Sequence, residues 1–203
     1  MIRKFFLSLL LILAIPLTAQ EFKTVEEAEG LQVGTEAPVF KALDADSNEY
    51  DLGQALNSGP VVMIFYRGYW CPYCNKHLAL IQDSLDFIHA EGASVIAISP
   101  EKPVYLEKIR EKTGSEFTLL YDEWYRISDA YDVTFLPSQN KIRRYNTFMG
   151  ANMTETHSDE TNRLPIPATY IIDQNGKIAW RQFDPNYKNR SKVGDILNAL
   201  SEL

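Results

Sequence analysis

The chain has 203 residues, 45% hydrophobic and 23% charged, which fits one globular domain with a substantial core. Lys and Arg number 20 against 27 Asp and Glu, a formal net charge of -7 that disfavours nucleic acid as a partner. Two cysteines, Cys71 and Cys74, are too few for a disulfide-stapled scaffold or a four-cysteine metal site.

Arg3-Lys4, an apolar stretch from Phe5 to Leu17 and then Thr18-Ala19-Gln20 have the build of a secretory signal peptide, with cleavage expected after Ala19. The stretch is shorter than the ~20 residues of a membrane span, so none is expected after cleavage. The expected location is therefore exported, periplasmic or secreted, where thiols tend to oxidise. Residues 20–33 read as a polar extension and 34–203 as the folded domain.

Ala37–Phe40 begins an extended segment, and Asp44–Asp51 reads as a turn or short hairpin. Val61–Phe65 is an unbroken apolar run with β-branched residues, the mark of a strand covered on both faces. Leu78, Ile81, Leu85 and Ile88 then recur at helical spacing, and Gly92 ends that pattern. Strands are expected over Ser94–Ser99 and Phe117–Tyr121, with helices over Val104–Lys112 and Glu123–Tyr131. Strands alternating with helices imply parallel crossovers in an α/β sheet.

Residues 132–163 carry few apolar residues and no clean period, and read as an insertion or long loop near the site. A strand over Ala168–Asp173, an Asn175-Gly176 turn and a returning strand over Lys177–Arg181 make the final hairpin. A helix over Lys192–Leu200 closes the domain.

The chemistry sits where the Val61–Phe65 strand hands over to a helix, at Cys71-Pro72-Tyr73-Cys74. A helix N-terminus offers unpaired N–H groups and partial positive charge, both of which favour a thiolate. Pro72 suits the first helical position, where its missing N–H costs nothing. Two cysteines at this spacing can close a Cys71–Cys74 disulfide with little backbone movement, with Tyr69 and Trp70 flanking the pair. A purely structural bridge is the poorer reading, since so small a ring stabilises by only about 2 kcal/mol. A copper or zinc site using Cys71, Cys74 and His77 is a further alternative. Arg67, the nearest cation in sequence, could support either thiolate or stay solvated. Pro167, directly before the Ala168–Asp173 strand, cannot donate to a ladder and belongs at a strand start, where a cis peptide is expected.

A strand, Trp70-Cys71-x-x-Cys74, a helix and a distal proline together resemble the thioredoxin fold. More closely, three motifs resemble the peroxiredoxin-like AhpC/TSA (alkyl hydroperoxide reductase / thiol-specific antioxidant) family. They are Gly34-x-x-Ala37-Pro38-x-Phe40, Phe65-Tyr66-Arg67-Gly68-x-Trp70-Cys71-Pro72-x-Cys74, and Leu164-Pro165-x-Pro167-Ala168-Thr169-Tyr170-x-x-Asp173-x-x-Gly176-x-Ile178. The resemblance implies a central mixed sheet flanked by helices, with an insertion before the final hairpin. It also implies reduction of hydroperoxides by a dithiol cycle, regenerated by a thioredoxin-like donor and without a metal or organic cofactor.

In that family a thiolate is supported by a Thr three residues earlier and by a distant Arg. Here Cys74 falls on the attacking position, Cys71 on the Thr position and Pro167 on the Arg position. Both departures are thioredoxin features. A peroxidase reading therefore makes Cys74 the nucleophile and Cys71 the resolving thiol. A disulfide-exchange reading on protein disulfides makes Cys71, expected to be the more exposed thiol of lower pKa, the nucleophile. Trp70, Arg67, Pro167 and Thr169 are the expected supporting residues.

Overall fold

Five consecutive apolar residues, the first two β-branched, suit a strand covered on both faces, and Val61–Phe65 is that strand. The computed structural model describes residues 22–203, so the expected signal peptide lies outside the described residues. A hairpin of β1 (Lys41–Leu43) and β2 (Glu49–Asp51) leads into α1 (Leu52–Leu56) and then β3 (Val61–Phe65). Next come α2 (Pro72–Gln82), α3 (Leu85–Ala90), β4 (Ser94–Ser99), α4 (Pro103–Thr113) and β5 (Thr118–Tyr121). A 3-10 turn over Glu123–Tyr125 and α5 (Arg126–Ala130) precede β6 (Thr134–Phe135), α6 (Gln139–Met149) and α7 (Met153–Thr156). The chain ends with β7 (Leu164–Pro165), β8 (Ala168–Ile172), β9 (Ile178–Phe183) and α8 (Val193–Ser201).

The main sheet has five strands in the order β5-β4-β3-β8-β9. β3, β4 and β5 run parallel, while β8 is antiparallel to both of its neighbours. This is the mixed, helix-flanked sheet implied by the sequence resemblance. Strand period divides the core. Val62 and Ile64 face Leu78, Ile81, Leu106 and Ile196, whereas Val61, Met63 and Phe65 face Leu52, Leu56, Ile127 and Tyr131.

The register Ile64 opposite Thr169 sets the start of β8 beside the end of β3. The chain leaving β3 and the chain entering β8 therefore share one end of the sheet, and that end carries the cysteines.

Two expectations need correction. Residues 132–163 are not a long loop: they hold β6, α6 and α7. Only Ile142 and Tyr145 of α6 are buried, a stripe too narrow to leave a period in the sequence. The second concerns Pro167. All peptide bonds among the described residues are trans, the one before Pro167 included. Here β7 pairs with β6, and Ile166 N–H donates to Val133 O at 2.6 Å, so the approach to β8 is held extended.

Smaller differences follow from local chemistry. The stripe from Leu78 to Ile88 is buried as expected, but it spans α2 and α3 with a break at Asp83-Ser84. No described helix is long and apolar enough to cross a membrane.

Candidate active site

After β3 the chain turns through Tyr66–Trp70 into α2, with Cys71 as its N-cap residue and Pro72 in its first turn. Cys71 is extended (φ -89°, ψ 107°), and its Sγ takes the place of a capping oxygen by accepting Cys74 N–H at 3.4 Å. Both cysteines are free thiols, and both are buried, Cys71 at 0% and Cys74 at 1% exposure. The expectation that Cys71 is the more exposed thiol is thus overturned.

Arg67 is not a solvated loop charge. It is 1% exposed, and its Nη2 donates to Cys71 Sγ at 3.3 Å while Nη1 donates to the Tyr145 hydroxyl at 3.2 Å. Its guanidinium carbon lies 5.1 Å from the Trp70 ring centroid, 5.2 Å from Tyr145 and 3.9 Å from Tyr187. Burial works against the cation, but the two sulfurs more than offset this, so Arg67 stays charged. Trp70 packs against Tyr145 with centroids 5.2 Å apart and the rings tilted by 35°, so α6 forms one wall of the site.

A second guanidinium comes from the other end of the chain. Arg190 Nη2 donates to Cys74 Sγ at 3.6 Å. Burial alone would push the Cys74 thiol up; the hydrogen bond with Cys71 and the charges of Arg190 and Arg67 reverse this and hold it well below the ordinary thiol value. Cys71 moves the other way, pushed up by burial, by its hydrogen bond with Cys74 and by the charge that develops there. The direction is opposite to the one expected for Cys71 as nucleophile. Chemically, a thiolate beside a thiol can give two electrons to an acceptor and end as a disulfide.

Thr169 and His77 hydrogen-bond elsewhere than to the sulfurs. Thr169 Oγ1 and His77 Nε2 each make a 2.9 Å hydrogen bond to Ser191 Oγ, which ties β8 and α2 to the start of α8. His77 is therefore engaged away from the cysteines, and the three-ligand copper or zinc set is not assembled. No cluster of three or more metal-ligating side chains occurs among the described residues. Pro167 is buried at the entry to β8.

Sequence reasoning missed Arg190, Tyr145 and Tyr187, which meet the cysteines or Arg67 only through the fold. It also missed Glu101, a fully buried carboxyl whose Oε2 accepts Tyr69 N–H at 2.7 Å. Arg190 also lines a cavity of about 530 Å³ with Tyr73, Lys76, His77 and Leu80.

Residues 33–181 match the AhpC/TSA family. The chain belongs to that family. Among curated relatives, it is 28% identical to Peroxiredoxin Bcp of Escherichia coli over 172 residues, covering 85% of this chain and 97% of that protein. It is 27% identical to chloroplastic Peroxiredoxin Q of Oryza sativa subsp. japonica over 173 residues, 84% of this chain and 67% of that protein. Among solved structures, peroxidoxin BcpB from Mycobacterium tuberculosis superposes with a TM-score of 0.66 at 19% identity, covering 85% of this chain and 98% of the other. That similarity shows a shared fold, with the AhpC/TSA chain here placing a Cys-x-x-Cys pair on it.

Proposed function

We propose that this AhpC/TSA protein is an exported thiol peroxidase that uses the Cys71/Cys74 pair as an intramolecular dithiol. Cys74 thiolate attacks a hydroperoxide: an S–O bond forms, the O–O bond breaks, and the departing alkoxide or hydroxide takes up a proton. Cys71 then attacks the Cys74 sulfenic acid; its proton leaves with the sulfenic oxygen as water, and the disulfide forms. An external thioredoxin-like dithiol reduces that disulfide. The observation that carries the reading is the pair of guanidiniums on two buried sulfurs, Arg67 at 3.3 Å from Cys71 and Arg190 at 3.6 Å from Cys74. They favour the thiolate and match the charge of the leaving oxyanion. In this reading they take over the electrostatic role of the family arginine, whose position holds Pro167.

Disulfide exchange with Cys71 as nucleophile is the second reading. It draws on the two donors that Cys71 Sγ accepts, from Arg67 and from Cys74 N–H. Size argues against it: a small peroxide can enter a closed site, whereas a protein disulfide must meet a sulfur that is 0% exposed.

Single serine variants test the choice. Cys74→Ser is expected to abolish peroxide consumption, and Cys71→Ser to leave one turnover that stops at the sulfenic acid. Insulin-type disulfide reduction that outpaces peroxide consumption and fails in Cys71→Ser would establish the second reading instead. Export is tested by N-terminal sequencing of the protein recovered outside the cytosol, with Gln20 as the expected first residue.

A further inference from the structure

Beside Cys74 on α2, Tyr73, Lys76, His77 and Leu80 recur at i, i+3, i+4 and i+7 and form one wall of the cavity of about 530 Å³. The chain entering α8 forms the other wall, from Lys188 to Val193. His77 Nε2 and Ser191 Oγ, 2.9 Å apart, tie the two walls together, so the cavity is preformed.

The charge of this lining is all of one sign. Lys76, Lys188, Arg190 and Lys192 are cations, and no Asp or Glu lines the cavity. None of the four makes a salt bridge among the described residues, although the chain as a whole carries a net charge of -7. Exposed Tyr73 and Leu80 and half-buried Val193 add apolar surface between the cations.

Arg190 connects the cavity to the chemistry. Its Nη2 donates to Cys74 Sγ at 3.6 Å, while its Nε is buried and has no hydrogen-bond partner. A buried donor without an acceptor carries a cost that a ligand oxygen would remove. Unpaired cations, apolar surface and a guanidinium on the reactive sulfur together suit a small anion with an apolar body. A protein segment suits the place less well, because the sulfur behind Arg190 is 1% exposed.

Two of the cations sit on regular elements, Lys76 within α2 and Lys192 as the N-cap residue of α8. Groups held by helices are fixed more precisely than groups on a loop. We propose that this cavity is a specificity subsite for the far end of a carboxylate-bearing organic hydroperoxide, with its apolar body on Tyr73, Leu80 and Val193 and its carboxylate on Lys76 and Lys192. Arg190 then stays free for the reacting oxygens at Cys74. The inference rests on the peroxidase reading and names its substrate class; the far end undergoes no bond change.

The test compares cumene hydroperoxide with the same compound carrying a para-carboxylate, on the full chain with a dithiol donor. At low ionic strength kcat/KM is expected to be about tenfold higher for the carboxylate, against the repulsion of a chain of net charge -7. High salt is expected to bring the ratio close to one, as is Lys76→Gln/Lys192→Gln. The Lys192 side chain makes no capping bond, and a ratio taken on one protein cancels any general loss of folding or thiol reactivity. A ratio near one for the unmodified protein, or one that survives in the double variant, would overturn the assignment. 4-Isopropylbenzoate, an anion of the same build without the hydroperoxide, is expected to compete with cumene hydroperoxide for the unmodified protein and about tenfold more weakly for the variant. No competition would overturn it as well. A ratio of one together with a raised KM of the variant for an acidic thiol donor would assign the cavity to the donor instead. If neither peroxide is consumed faster than by Cys74→Ser, the peroxidase reading falls and the subsite with it; equal consumption of both overturns the subsite alone.

Discussion

Gly68 has a φ of 151°, which side-chain-bearing residues rarely adopt, and the space of its absent Cβ is filled by Glu101 and Trp70. Gly68→Ala is therefore expected to destabilise by about 1–3 kcal/mol, read as a lower denaturant midpoint at unchanged slope. Arg190 acts on charge more than on packing. Replacing it by Gln removes a guanidinium 3.6 Å from Cys74 Sγ, so the thiolate titrates at higher pH. Below the inflection, alkylation by iodoacetamide is expected to slow about tenfold, with the curve displaced upward in pH. Lys188→Gln, an exposed change on the same cavity, is the control and should leave the curve in place. Single positions show how legible the site was. Cys71-Pro72-x-Cys74 was readable because its spacing is local and each residue type has a reason at a helix start. Arg190 was not, since a contact 116 positions away leaves no mark on composition or period.

Among the elements, α6 is the one whose role departs most from its sequence. Its two buried residues, Ile142 and Tyr145, sit three apart, and Tyr145 connects α6 to Arg67 and Trp70. The segment after α7 is fastened by Tyr125, whose hydroxyl lies 2.7 Å from His157 Nδ1 and donates to Arg163 O at 2.6 Å. Arg163 in turn pairs with Asp129 and Asp159. Tyr145→Phe leaves one Arg67 N–H unpartnered in a buried place, at a cost of about 1–3 kcal/mol. The same variant is expected to slow peroxide consumption, because Arg67 loses one of the groups that aim it at Cys71. Thermal unfolding and single-turnover kinetics measure the two effects. By contrast, β3 and β8 were readable to within a residue or two, because strands buried on both faces must be apolar throughout.

At the scale of the whole molecule, two buried histidines contribute to acid sensitivity. Burial and the charge of Arg190 lower His77 to about 4, and burial lowers His157 to about 3. Both values lie below the ordinary histidine range near 6.5, so the unfolded chain binds more protons than the folded one between that range and about 4. The stabilisation is complete above pH 6.5 and is lost as pH falls through that window. Each histidine is expected to contribute up to a tenfold fall in the folding equilibrium constant per pH unit. His77→Asn and His157→Asn should each flatten urea-derived stability profiles between pH 6.5 and 4.

The sheet order was largely legible at this scale, since alternating strand and helix patterns and a resemblance over most of the chain constrain it. The convergence of α2, α6 and the segment before α8 was not, because it follows from packing of elements whose sequences say nothing about each other. That convergence has a kinetic consequence. In an unfolded chain Cys74 has no guanidinium beside it and behaves as an ordinary thiol, largely protonated near neutrality and slow towards electrophiles. Its nucleophilicity rises as the fold sets Cys71 beside it and delivers Arg190 and Arg67, from opposite halves of the chain, to the sulfurs. A newly made molecule is thus chemically quieter before its last segment docks, and the labelling rate of this one sulfur can time that final step.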